Sequence, residues 1–154
     1  MIRMNEVLGV KIMNIWIIRK GGIPLFTKDY DDTFNFGDGV TNPMITAMLD
    51  GFLNVFNRGV VGEKCEEMRF GNKIFTFYYP ESPINVTTLM ISKTSKNNNI
   101  ITYLLALTEV ISKVFVETYK EVLLGITEPL ERFMPFEDKL DGVVNDFIKS
   151  IKLE

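Results

Sequence analysis

Aspartates at positions 29, 31, 32 and 38 crowd a short stretch of the chain, and such a cluster is the first place to look for a bound cation. An EF-hand calcium loop needs glycine at its sixth position and a bidentate acid at its twelfth. Counted from Asp29, those positions hold Phe34 and Val40; counted from Asp31, they hold Phe36 and Asn42. The spacing fails, and acid-rich turn chemistry accounts for the cluster as a solvated loop. Gly37-Asp38-Gly39-Val40-Thr41-Asn42 leads into a helical pattern, so its amides could in principle receive a phosphate. Only two glycines of a dinucleotide fingerprint are present, and no Lys-Ser or Lys-Thr suggests a Walker loop. Cys65 is the single cysteine, and the chain has no histidine to activate it, so it reads as a structural thiol. No nucleophile–base pair assembles on paper. The expectation is a protein with no catalytic residue, no metal and no cofactor, hence not an enzyme.

A chain of 154 residues can build its own core, and 46% hydrophobic with 24% charged residues is ordinary globular composition. A net charge of −3 and a pI near 5.1 exclude the strongly basic face of a nucleic-acid binder. One cysteine cannot form an internal disulfide, which fits a reducing compartment. No apolar run reaches the ~18–20 residues that cross a bilayer. Met1-Ile2-Arg3-Met4-Asn5-Glu6 lacks the features of a signal peptide, and a cytoplasmic location is expected.

These residues must be positioned by the elements that the hydrophobic periods define. Val10 to Ile18 is rich in β-branched residues and stops at Arg19-Lys20-Gly21-Gly22; Ile23 to Tyr30 resumes the extended pattern. The near-continuous apolar character of the first run predicts a central strand covered on both faces. Pro24 cannot donate to a ladder, so it belongs at a strand start or an edge. Asp31 to Thr41 reads as loop. Asn42-Pro43 opens a helix whose face is Ile45, Met48, Leu49, Phe52, Leu53 and Phe56, and Arg58-Gly59 closes it. Cys65 to Phe70 and Lys73 to Tyr79 flank the hairpin turn Gly71-Asn72, and Asn85 to Ser92 makes a fifth strand. Ile100 to about Leu124 is a long helix with Glu109, Lys113, Glu117 and Glu121 on its wet face. A last amphipathic helix follows, with Pro135 in its first turn and Phe136, Leu140, Val143, Phe147 and Ile151 on one face.

The predicted fold is therefore α+β, an α/β/α sandwich on a five-stranded antiparallel sheet in the order β-β-α-β-β-β-α-α. A single domain is expected over 1–154, with 1–9 as an N-terminal extension and 130–154 as its C-terminal amphipathic helix. Trp16, mid-strand among isoleucines, is expected to pack rather than bind. The first helix carries an anomaly. Beyond its core face, Met44, Ala47, Gly51 and Val55 form an adjoining apolar flank beside a narrow strip of Thr46, Asp50, Asn54 and Asn57. A mid-helix glycine costs about 1 kcal/mol against alanine and usually marks close approach of another element. That element is either the chain's own terminal helix or loop, or a second protein.

Ile15-Trp16-Ile17-Ile18, then Gly21-Gly22, then Leu25-Phe26 and Tyr30 resembles the opening hairpin of longin-like domains. Glu66-Glu67-Met68-Arg69-Phe70-Gly71-Asn72-Lys73-Ile74 is similar to the third-to-fourth strand hairpin of archaeal relatives of that family. The element order is similar to the longin order over nearly all of Val10 to Leu153, within the superfamily that also holds SNARE-like and roadblock domains. A roadblock domain begins with an additional helix that the first nine residues are too few to supply.

The resemblance implies a cytoplasmic, non-enzymatic module of the kind found in trafficking adaptors and tethering complexes. It implies dimerisation with itself or with a longin or roadblock paralogue, and engagement of a small Ras-like GTPase. It also implies peripheral membrane association through partners, and no nucleic acid. Carried onto this chain, the partner-binding surface would be Met44, Ala47, Gly51 and Val55 with the strand from Cys65 to Phe70, chiefly Met68 and Phe70. A SNARE would need a long heptad coil after the domain, and here Pro129, Pro135 and Gly142 interrupt the segment after the long helix. The rival expectation is a small-molecule sensor of profilin- or PAS-like shape, with a ligand between sheet and long helix. It would need convergent polar groups there, whereas the inward positions read as almost wholly apolar.

Overall fold

The β-branched run from the N-terminal third forms β1 (Val10–Arg19), and pairing on both of its sides makes it interior to the sheet. The computed structural model describes residues 10–19, 23–30, 51, 65–80, 84, 86–94, 100–124 and 133–152. The other strands are β2 (Ile23–Asp29), β3 (Glu67–Phe70), β4 (Lys73–Tyr78) and β5 (Val86–Thr94). They form one five-stranded sheet in the order β2-β1-β5-β4-β3, and every neighbouring pair is antiparallel. Two helices follow, α1 (Ile100–Leu124) and α2 (Phe136–Lys152). The helix read from the sequence over 42–57 lies outside the described residues, save for Gly51, which is helical.

Local chemistry explains the strand details. Pro24 lies in β2, one of the two edge strands, where a missing N–H costs no ladder bond to a further strand. The β1–β2 register shifts between Ile17 and Ile18, and Leu25 and Phe26 both reach the same core. A second shift, between Ile12 and Asn14 against β5, makes Met13 the extra residue of a bulge. It re-phases the alternation, so Val10, Ile15 and Ile17 reach one face while Met13, Trp16 and Ile18 reach the other. Gly71 opens the β3–β4 turn with φ at 63°, the left-handed region that glycine enters without strain.

Each face of the sheet carries its own core. On one face, Ile15, Ile17, Ile74 and Met90 pack with Leu104, Leu107, Ile111 and Phe115 of α1 and with Phe136, Leu140, Val144 and Ile148 of α2. Phe115 anchors an aromatic group here, its ring 5.0 Å from Phe136 and 5.4 Å from Phe133. On the opposite face, Met13, Trp16, Ile18, Phe75, Phe77, Leu89 and Ile91 form a second buried cluster. Neither α1 nor α2 contributes to it, yet its members are at most 5% exposed.

α1 is interrupted by Tyr119, which has non-helical angles of φ −117° and ψ 20°. Glu137 and Asp138 in the first turn of α2 suit the positive end of its dipole. The inward positions are less apolar than the sequence suggests. Thr76, Thr88 and Ser92 of the sheet and Thr108 and Ser112 of α1 are fully buried. Hydroxyl residues carry little hydropathy signal, and their small size lets the helix approach the sheet closely. No helix among the described residues is long and apolar enough to cross a membrane.

Candidate interaction surface

The hairpin turn dictates which way β3 points its backbone. A two-residue turn is closed by a hydrogen-bonded pair, here Phe70 and Lys73. At the other end, the Phe77 amide donates to the Glu66 carbonyl at 2.9 Å. Alternation then commits the amide and carbonyl of Glu66, Met68 and Phe70 to β4 and turns those of Glu67 and Arg69 outward. Among the described residues no strand lies beyond β3.

The side chains divide by face. Met68 pairs across with Phe75 and packs, half-buried, against the second-face cluster. Glu67 and Arg69 stand on the face that α1 and α2 cover elsewhere, opposite Thr76 and Ile74. They are 42% and 46% exposed, with Arg69 Nε 3.7 Å from Glu67 Oε2. Cys65, just ahead of β3, is half-buried, and its thiol donates weakly to the Glu67 carbonyl at 3.5 Å. Burial pushes that thiol up from its ordinary range, as fits a structural rather than a reactive cysteine. The Tyr79 hydroxyl donates to the Cys65 carbonyl at 2.7 Å and fixes the entry to the strand.

Of the partner-binding residues expected from sequence, Met68 and Phe70 lie on β3, with Phe70 at its last position. Gly51 is helical and exposed, and a Cβ added there would meet nothing within 4 Å. Among the described residues no element crowds this glycine, which differs from the close approach within the chain that a mid-helix glycine usually marks. Met44, Ala47 and Val55 lie outside the described residues. Sequence reasoning passed over Glu67 and Arg69 as individuals, although the turn Gly71-Asn72 already fixes their outward parity.

Of the remaining candidates for chemistry, one lies among the described residues. Asp29, first of the aspartate cluster, ends β2, and its carboxylate accepts from the Asn14 amide at 2.6 Å and the Trp16 indole at 3.1 Å. Asp31, Asp32 and Asp38 lie outside the described residues, as does the glycine loop at 37–42. No group of metal-ligating side chains occurs among the described residues. At the opposite edge, Lys28 pairs with Glu137, and Tyr30 donates to Asp141 at 3.2 Å, tying β2 to α2. The hydrogen bond that Lys28 donates to the Glu137 carboxylate raises the lysine pKa, and burial, with Asp141 nearby, raises that of Tyr30.

A five-stranded antiparallel sheet with these crossovers and a helical pair on one face is a longin/roadblock-like fold. The structure of the mammalian SRP receptor superposes with a TM-score of 0.52 at 13% identity, covering 90% of this chain and 96% of that one. A roadblock/LC7 domain from Streptomyces avermitilis gives a TM-score of 0.44 at 9% identity, over 74% of this chain and 87% of that one. No family model matches the sequence, and no curated protein matches it. At 13% identity, what this chain shares with the SRP receptor structure is the fold.

Proposed function

We propose that this chain is a non-catalytic interaction module that dimerises and binds or regulates a small Ras-like GTPase, as subunits of trafficking adaptors and tethers do. The observation that carries the association half is the exposure of helical Gly51, where an added Cβ would meet nothing within 4 Å, together with the position of β3 as the last strand of the described sheet. Met44, Ala47, Val55, Met68 and Phe70 complete the proposed surface. The GTPase half rests on the longin resemblance, which the SRP receptor fold supports. Cytoplasmic residence, with membrane recruitment only through partners, belongs to the same reading.

The test is binding of the purified protein to the small GTPases of its own genome, each loaded with GDP or a GTP analogue. Nucleotide-dependent binding is the expected result, and silence across the set would remove the GTPase half. For association, Gly51→Arg should abolish the dimer without disturbing the monomer, since a side chain there meets open space. An unchanged mass in solution would take Gly51 off the surface.

A sensor of profilin- or PAS-like shape is the second reading, and one observation favours it. The hydroxyls of Thr88, Ser92 and Ser112 are buried on the surfaces that the sheet and α1 turn toward each other, and none finds a hydrogen-bond partner among the described residues. A small polar molecule seated against one of them would satisfy it. A thermal-shift screen against polar metabolites would decide: a saturable rise lost in Ser112→Ala would favour the sensor.

A further inference from the structure

We draw no further inference here: the strongest candidate, the row of Lys11, Lys93 and Lys73 opposed across β1, β5 and β4 at one end of the second face of the sheet, carries nothing, because Lys11 and Lys73 already have interaction partners and nothing in the structure shows what meets the row.

Discussion

The hydroxyls of Thr76 and Thr108 lie 2.7 Å apart, one from β4 and one from α1, with both residues fully buried. Each hydroxyl has a single proton to give. Thr108 lies 2.7 Å from the Leu104 carbonyl, whereas among the described residues Thr76 has only the Met90 carbonyl at 3.4 Å as an alternative. The proton order is therefore Thr76 to Thr108 to Leu104. Thr108→Val strips Thr76 of its good acceptor and should cost about 1–3 kcal/mol, while Thr76→Val leaves Thr108 bonded to its own helix and should cost about 1 kcal/mol. The double valine variant should cost less than the sum, a coupling that denaturant melts of the four proteins would measure.

Asp29 joins Asn14 and Trp16, and that junction predicts a variant with an optical signature. Asp29→Ala would leave the Asn14 amide nitrogen and the indole N–H without this acceptor, and the Asn14 oxygen already has no partner among the described residues. A loss of about 1–3 kcal/mol is expected for the buried amide. Trp16 is the only tryptophan, so its emission should shift in the folded state as well. Unchanged emission and stability would show that the carboxylate contributes nothing to holding β2.

Much of this architecture was legible in the chain, because it depends on periodicity and turn chemistry. Pro24 announced an edge strand, Gly71-Asn72 a two-residue turn, and Ile100 to Leu124 a helix with the observed bounds. The rotation of α2 was not. Apolar pairs at 143/144 and 147/148 let two faces satisfy a helical period, and contact with α1 and the sheet selects Val144 and Ile148 for full burial, leaving Val143 and Phe147 half-buried. Bulges such as that at Met13 follow from pairing with a distant strand and leave no local mark. Of the proposed interaction surface, the structure places Met68 and Phe70 on β3 while Met44, Ala47 and Val55 lie outside the described residues, and the outward parity of Glu67 and Arg69 follows only from the ladder.

Stability should fall at alkaline pH, and Tyr30 should be part of the cause. Its pKa is raised above the ordinary 10.0, first by burial and then by the Asp141 charge. A group raised in the folded state contributes fully below its unfolded pKa and loses that contribution as pH climbs toward the folded value. Lys28, held charged by the Glu137 hydrogen bond, acts in the same direction above its ordinary 10.5. Wild type should therefore lose stability progressively above about pH 10. Tyr30→Phe should be less stable at pH 7 by about 1 kcal/mol for the lost Asp141 bond, yet show the shallower alkaline decline. Parallel pH profiles would remove Tyr30 from the account.

The hold of α2 on the sheet edge sets a charged contact against an aromatic one within a single helical turn. Glu137 pairs with Lys28, but its side chain is 53% exposed and that of Lys28 is 24% exposed. An ion pair so open to water contributes about 0–1 kcal/mol and is screened by salt. Phe136, the residue before Glu137, is 1% exposed, with its ring edge-on to Phe26 of β2 at 5.2 Å and to Phe115 of α1 at 5.0 Å. Truncating a buried phenylalanine removes its transfer free energy and leaves a cavity that the surroundings refill only in part. Phe136→Ala should accordingly cost about 3–5 kcal/mol. Glu137→Gln should stay below about 1 kcal/mol and shrink further in high salt. Native-state hydrogen exchange along α2 gives the sharper reading. If the aromatic contact docks the helix, Phe136→Ala will collapse protection throughout α2 while β5 and β1 retain theirs, and Glu137→Gln will leave the pattern intact. The reverse outcome would make the ion pair, rather than the ring, the contact that keeps α2 on the sheet.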